Sequence, residues 1–373
     1  MILDIFVRSV IYKCLRNMKG CFTHVHQCTV SRCLHALYRY LHALCRCTSM
    51  YSPSSELNET VEHAPPRPQL ECIEQTSDTT SCGTCNTIHN SRHDNITTLA
   101  SNLQTTELFR WDDWSSDEML AHGRYGKVQI HTNKTTGTTC VIKSQYENTR
   151  TQLEVTCLAA CHHPNIVKYK GHRIHNGRMQ LAMEHCPGIE LFDYIIAQNN
   201  KNVLVELHVV RQVMNQLLEV VRYLHDDLHM MHRDIKPENI IFDPTTKHIQ
   251  LVDFGFACTD NYRMSYVGTP YYTACEIVRG VRYTRLVDEG STGVVMYIIM
   301  YGIAPFEGNE QEIFLKILRT NVSFPSNNRS DDVVECIRRL LHKTPSERAT
   351  AAEILQHPWF ASARDADAYT SAR

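Results

Sequence analysis

Two glycines three residues apart, Gly123 and Gly126, sit in the run Leu120-Ala121-His122-Gly123-Arg124-Tyr125-Gly126-Lys127-Val128. Positions without a Cβ let a turn between two strands bring its backbone N–H groups close to an anion. The loop is therefore a candidate cradle for phosphate oxygens. A Thr-rich hairpin follows, then Thr139-Cys140-Val141-Ile142-Lys143. A lysine on that strand would meet the α- and β-phosphates of a nucleotide as a point charge. On these residues alone a plain glycine-bearing hairpin is the preferred reading, with the phosphate cradle as the alternative.

The stretch Met231-His232-Arg233-Asp234-Ile235-Lys236-Pro237-Glu238-Asn239, followed fourteen residues later by Asp253-Phe254-Gly255, narrows the choice. Two long motifs in this order and at this interval resemble those of the eukaryotic protein kinases. The resemblance implies an α+β, bilobal protein kinase fold: a small antiparallel β-sheet lobe with one helix, a larger mainly α-helical lobe, and nucleotide between them. It implies that Asp234 accepts the substrate hydroxyl proton and that Lys236 neutralises charge on the transferring group. Asn239 and Asp253 are the implied ligands of Mg2+, a hard cation that takes oxygen donors. ATP and Mg2+ are thus the expected cofactors.

Other segments are similar to the family residue by residue. Glu154, nine positions before His163 in Cys161-His162-His163-Pro164-Asn165, falls where the lysine-pairing glutamate lies, so it is expected to pair with Lys143. Met183-Glu184-His185-Cys186 resembles the adenine-binding hinge, with Met183 at the back of the pocket. Glu190 matches the acid that touches ribose or a basic substrate residue. Thr269 resembles the threonine that bonds the catalytic aspartate and lysine, and together with Lys236 it implies Ser/Thr rather than Tyr specificity. Asp288 would brace the catalytic-loop backbone, and Arg348 would pair with Glu276. Ser265 stands where many relatives carry an activating phosphate, with Arg233 as one cation able to bind it. The similarity runs from about 115 to 361 and leans towards the calcium/calmodulin-dependent and AMP-activated branch.

Several positions depart from the family pattern. Ala121 replaces the first loop glycine, Cys275 the proline before Glu276, and Gly290 a tryptophan of the following long helix. The last change is expected to leave a packing defect. Lys143 and Glu154 are only eleven residues apart, a shorter interval than is usual. The first helix must be trimmed at its front or its linker nearly absent, as in some kinases of large DNA viruses. No departure removes a phosphate-, metal- or proton-handling residue. The alternative is a pseudokinase that binds nucleotide or partners without chemistry.

Around these motifs the chain divides unevenly. Of 373 residues, 43% are hydrophobic and 21% charged, with a net charge of −2, which suits a soluble globular chain and no strong field towards nucleic acid. Residues 1–50 are basic and Cys/His-rich, residues 51–110 form an acidic Ser/Thr/Pro linker expected to be disordered, and regular apolar patterning spans the catalytic domain at 111–361, with a tail at 362–373. Cys82 and Cys85 with His89 and His93 have zinc-ligand types, but their pairs lie too close for a finger, which needs about twelve intervening residues; a metal-free reading is preferred. The N-terminal segment is a candidate surface for a partner or a membrane, or a mitochondrial presequence. The apolar run Val294 to Phe306 falls short of the ~20 residues of a membrane span and is expected to be a buried helix. Lone cysteines such as Cys140, Cys157 and Cys336 are expected to be buried thiols in a reducing compartment, placing the protein inside the cell, in cytoplasm or nucleus. Protein substrates, some near basic residues, are the expected partners.

Overall fold

A computed structural model describes residues 109–360, apart from 124, 125, 260, 261, 266 and 327–330 and the side chains at 117, 118 and 121–123. The expectations for the N-terminal segment, the linker up to 108, the Cys82/His89 group and the tail lie outside the described residues, as do Arg124 and Tyr125.

Five antiparallel strands, β1 (Trp114–Gly123), β2 (Gly126–Asn133), β3 (Thr139–Tyr146), β4 (Tyr169–His175) and β5 (Arg178–Glu184), form a sheet in the order β1-β2-β3-β5-β4. Gly123, the last residue of β1, pairs with Gly126, the first of β2. Gly126 has φ +135°, and a Cβ there would collide with the Ser144 carbonyl, so only glycine fits. The hairpin that the sequence offered is thus present. The two-residue period of β3 sorts its side chains. Cys140 and Ile142 are buried on one face under Phe109, Trp111 and Trp114, whereas Val141 packs against the main core. Lys143, opposite Val128 on β2 and Leu181 on β5, sits at the centre of the sheet.

Helix α1 (Thr149–Ala160) follows β3 after two residues and buries Thr151, Glu154, Val155, Cys157 and Leu158. The remaining helices build the second lobe: α2 (Leu191–Asn199), α3 (Leu207–Arg222), α4 (Cys275–Val278), α5 (Leu286–Tyr301), α6 (Glu310–Arg319), α7 (Asp331–Leu340) and α8 (Ala351–Leu355). In α3 the apolar residues recur on one face, and Val210, Val213, Met214, Leu217 and Val221 fill the core. Nearly every residue of α5 is buried, as befits a helix with neighbours all round. It starts eight residues before the expected apolar run and stops at Tyr301, because Gly302 takes the left-handed conformation (φ 71°) that ends a helix. A small second sheet, β6 (Ile189–Glu190), β7 (Ile240–Phe242) and β8 (Ile249–Leu251), was not foreseen from the sequence; it flanks the catalytic loop. The expected α+β bilobal arrangement is the fold the chain adopts. No described helix is long and apolar enough to cross a membrane, and the seven described cysteines are free thiols.

The packing defect expected at Gly290 is present as a cavity of about 30 Å³ lined by Ala274, Gly290, Val294, Phe306, Leu341 and Arg348, among others. A Cβ at Gly290 would make ordinary contacts, 3.4 Å to Ala274 Cβ and 3.6 Å to Arg348 Cζ. Gly290→Ala is therefore expected to stabilise the fold by about 1 kcal/mol, through helix propensity and added contact. A thermal melt should show a rise of about 2–4 °C; a fall would mean that the site is already filled.

Candidate active site

The short linker from β3 to α1 sets the first half of the site. Lys143 Nζ lies 2.6 Å from Glu154 Oε1 and 2.8 Å from Asp253 Oδ1, so one buried ammonium joins sheet, helix and the Asp-Phe-Gly turn. Burial opposes its charge, yet Asp253 and Glu154 together raise the lysine above its ordinary pKa. Burial likewise pushes the Asp253 carboxyl up, but Lys143 and the Gly255 N–H more than offset it and hold the group below the usual range. Both groups are therefore ionised at neutral pH. The Asp253 side chain remains 44% exposed, open to the cleft. Its φ of +60° is uncommon for a side-chain-bearing residue and is fixed in part by the Gly255 N–H bond to Oδ1, 3.1 Å.

The second half is the loop between α3 and β7. Asp234 Oδ2 accepts from Asn239 Nδ2 (2.9 Å) and meets Lys236 Nζ (2.9 Å). Lys236 also donates to Thr269 Oγ1 (3.1 Å), and Thr269 reaches Asp234 Oδ1 only at 3.5 Å. That oxygen is thus the one open to accept a proton from an incoming hydroxyl. Because Asn239 spends its amide nitrogen on Asp234, its Oδ1 is left to face a cation; with the Asp253 carboxylate this makes an all-oxygen donor set that fits Mg2+.

Backbone strain in this loop is held from below. Arg233 has φ +66°, and its N–H and that of His232 both donate to Asp288 at 2.7 Å. Asp288 is in turn bonded by His225 Nε2 (3.1 Å), whose Nδ1 meets Glu289 Oε1 (3.2 Å). Burial favours the neutral ring, but the two carboxylates outweigh it and raise His225 to about 9. A histidine raised from 6.5 to about 9 contributes stability that is whole below its unfolded pKa and is lost as pH rises through about 9. The urea midpoint is expected to fall across that window by up to about 3 kcal/mol of stability, and His225→Gln should flatten the profile. An unchanged slope in the variant would exclude His225 as the titrating group.

The other sequence-derived positions fall as follows. Leu120, Ala121, His122 and Gly123 end β1, and Gly126, Lys127 and Val128 begin β2. Met183 is buried on β5 opposite Val141, Glu184 ends that strand, and burial pushes the Cys186 thiol just beyond it up to about 12. Glu190 pairs with Ile241 in the small sheet. Arg348 makes two bonds to Glu276, 2.7 and 2.9 Å, and Cys275, at the position of the missing proline, donates its S–H to the Lys343 carbonyl. Arg233 Nη1 reaches Ser265 Oγ at 3.3 Å, so the neutral serine is already partnered. Sequence reasoning missed Gln145, whose Nε2 holds Glu154 Oε2 at 2.5 Å, although its place two residues after Lys143 puts it on the same strand face. It also missed Glu289, whose signal was a second acid in an otherwise apolar helix.

Residues 114–360 match the family model of the protein kinase domain, and the chain belongs to that family. It is 34% identical over 276 residues to calcium-dependent protein kinase 5 of Plasmodium falciparum (isolate 3D7), covering 70% of this chain and 47% of that one. It is 36% identical over 260 residues to calcium-dependent protein kinase 3 of Plasmodium yoelii yoelii (66% and 47%), and 33% over 275 to calcium-dependent protein kinase 1 of Arabidopsis thaliana (68% and 43%). The chain spans about half the length of these relatives.

Proposed function

We propose that this protein transfers the γ-phosphate of ATP to serine and threonine hydroxyls of protein substrates in a Mg2+-dependent reaction. The observation that carries the reading is the bonded cluster of Asp234, Lys236, Thr269 and Asn239, within one fold with the Lys143–Asp253 pair. In it Asp234 orients the acceptor hydroxyl and takes its proton. Lys236 and Lys143 bring positive charge to the phosphates, and the β1–β2 turn supplies backbone N–H groups. Asn239 and Asp253 would hold the metal, which would supply positive charge beside the phosphates. A pseudokinase would have no use for an acceptor-facing aspartate with its lysine and threonine aligned.

Substrates with a basic residue near the acceptor suit the rim of the site. Glu238 Oε2 is buried and lacks a hydrogen-bond partner among the described residues. Burial pushes that carboxyl up, Lys236 and Tyr272 draw it down, and Glu190 adds a like charge that a cation would relieve. The buried free thiols support an intracellular, reducing location. A peptide array carrying Ser, Thr or Tyr acceptors, with arginine placed at each flanking position, tests the proposal. Transfer to Ser and Thr alone, enhanced by arginine and abolished by EDTA, is expected. Equal transfer to Tyr, or transfer that survives EDTA, would refute it.

A further inference from the structure

Only Glu147 and Asn148 separate β3 from α1. Asn148 is nearly fully extended, with φ −163° and ψ 173°, so the linker holds little slack; a residue spans at most about 3.6 Å. Its polar groups are consumed locally. Asn148 Oδ1 accepts from the N–H groups of Arg150 and Thr151, its own N–H donates to Thr151 Oγ1, and its Nδ2 donates to the Tyr146 carbonyl. The capping box therefore anchors the first turn of α1 directly to the end of the strand that carries Lys143.

Two side chains one turn apart, Arg150 and Glu154, then fasten the helix through the same face. Glu154 is buried, and both of its oxygens are occupied from β3: Oε1 by Lys143 at 2.6 Å and Oε2 by Gln145 Nε2 at 2.5 Å. Outward movement of the helix would strand the Gln145 amide and one ion-pair partner in the interior, where unmade bonds are costly. From the first turn, Arg150 Nε donates to the Gly255 carbonyl at 2.7 Å, and its guanidinium lies 3.9 Å above the Phe256 ring. The Phe256 carbonyl accepts from Arg233 Nε at 2.7 Å. A continuous path thus runs from α1 through Gly255 and Phe256 to Arg233, next to Asp234.

We propose that Gln145 and Arg150 are positioning residues which, with the taut linker, hold α1 engaged without an activating phosphate or partner. The inference rests on the phosphoryl-transfer reading for its catalytic consequence, but the position of the helix can be measured without turnover. The expected result is that phosphatase-treated full-length protein phosphorylates peptide without a lag. Its amides at 150–158 should show the same hydrogen-exchange protection with and without a Mg2+-bound, non-hydrolysable ATP analogue.

Gln145→Met and Arg150→Ala are each expected to lower kcat about tenfold and raise the KM for ATP, as a small misplacement of Lys143 and Asp253 would. Protection of 150–158 should fall more than that of the amides in α3 and α5, which report global stability. Arg150→Lys, which still reaches a carbonyl, should recover part of the loss. Inserting four Gly/Ser residues between Glu147 and Asn148 should loosen the helix even with both side chains present. Exchange and kinetics within twofold of wild type in both variants and in the insertion would overturn the proposal. So would a wild-type helix that becomes protected only after phosphorylation. A protected helix in a protein that phosphorylates no peptide would instead refute the phosphoryl-transfer reading and leave the positioning role standing.

Discussion

Asp234→Asn is expected to lower kcat by about 10³-fold, within the range for losing a positioned general base, while nucleotide affinity and melting temperature stay near wild type. Asparagine fills the same volume but cannot accept a proton at neutral pH. Its amide would also bring a donor towards Lys236 and Asn239, both of which already donate to this side chain. The loop itself should hold, because Asn239 also bonds the backbone carbonyl of residue 234 at 2.8 Å, and Asp288 fixes the two preceding N–H groups. Single-turnover assays, paired with binding of a fluorescent ATP analogue, separate chemistry from binding. Transfer within tenfold of wild type would remove Asp234 from the mechanism.

Arg348→Ala carries the largest expected loss of stability. Its guanidinium meets both oxygens of Glu276 and also donates to the carbonyls of Leu286 and His342. Both side chains are almost wholly buried, so truncation leaves a carboxylate in the interior without its guanidinium, beside a thiol whose proton is already committed to the Lys343 carbonyl. Breaking a buried pair from one side costs about 3–5 kcal/mol, visible as a lower urea midpoint. Replacing both partners together by Gln and Met should cost less than either single change, since no uncompensated charge remains. A loss under about 1 kcal/mol in Arg348→Ala would show the pair to be energetically idle. Burial tends to raise the Glu276 pKa, but Arg348 holds it below the ordinary carboxylate range. This contribution is therefore present above the unfolded pKa and is lost as pH falls through the folded value.

Much of the site was legible because its chemistry is written in contiguous residues. Asp234, Lys236 and Asn239 share one short loop, and a loop of that length leaves few ways to arrange a carboxylate, an ammonium and an amide. The Lys143–Glu154 pair was legible from motif position, and the missing tryptophan at Gly290 from the same register. Gln145 and Arg150 were not, because their partners are a carboxylate nine residues on and a carbonyl 105 residues away. Local periodicity carries no record of which carbonyl a guanidinium will find. Glu289 was unassigned for a related reason: a second acid on an apolar helix makes sense only beside His225, which lies three residues beyond α3.

The amino-acid sequence alone determined the family, the bilobal architecture and the candidate site residues, since those depend on residue type and spacing within short segments. Only the tertiary structure decided how firmly they are held. The taut β3–α1 linker, the second bond to Glu154, the His225 bridge and the cavity beside Gly290 each arise where segments distant in sequence meet. Their energies depend on distances and burial that no single segment contains.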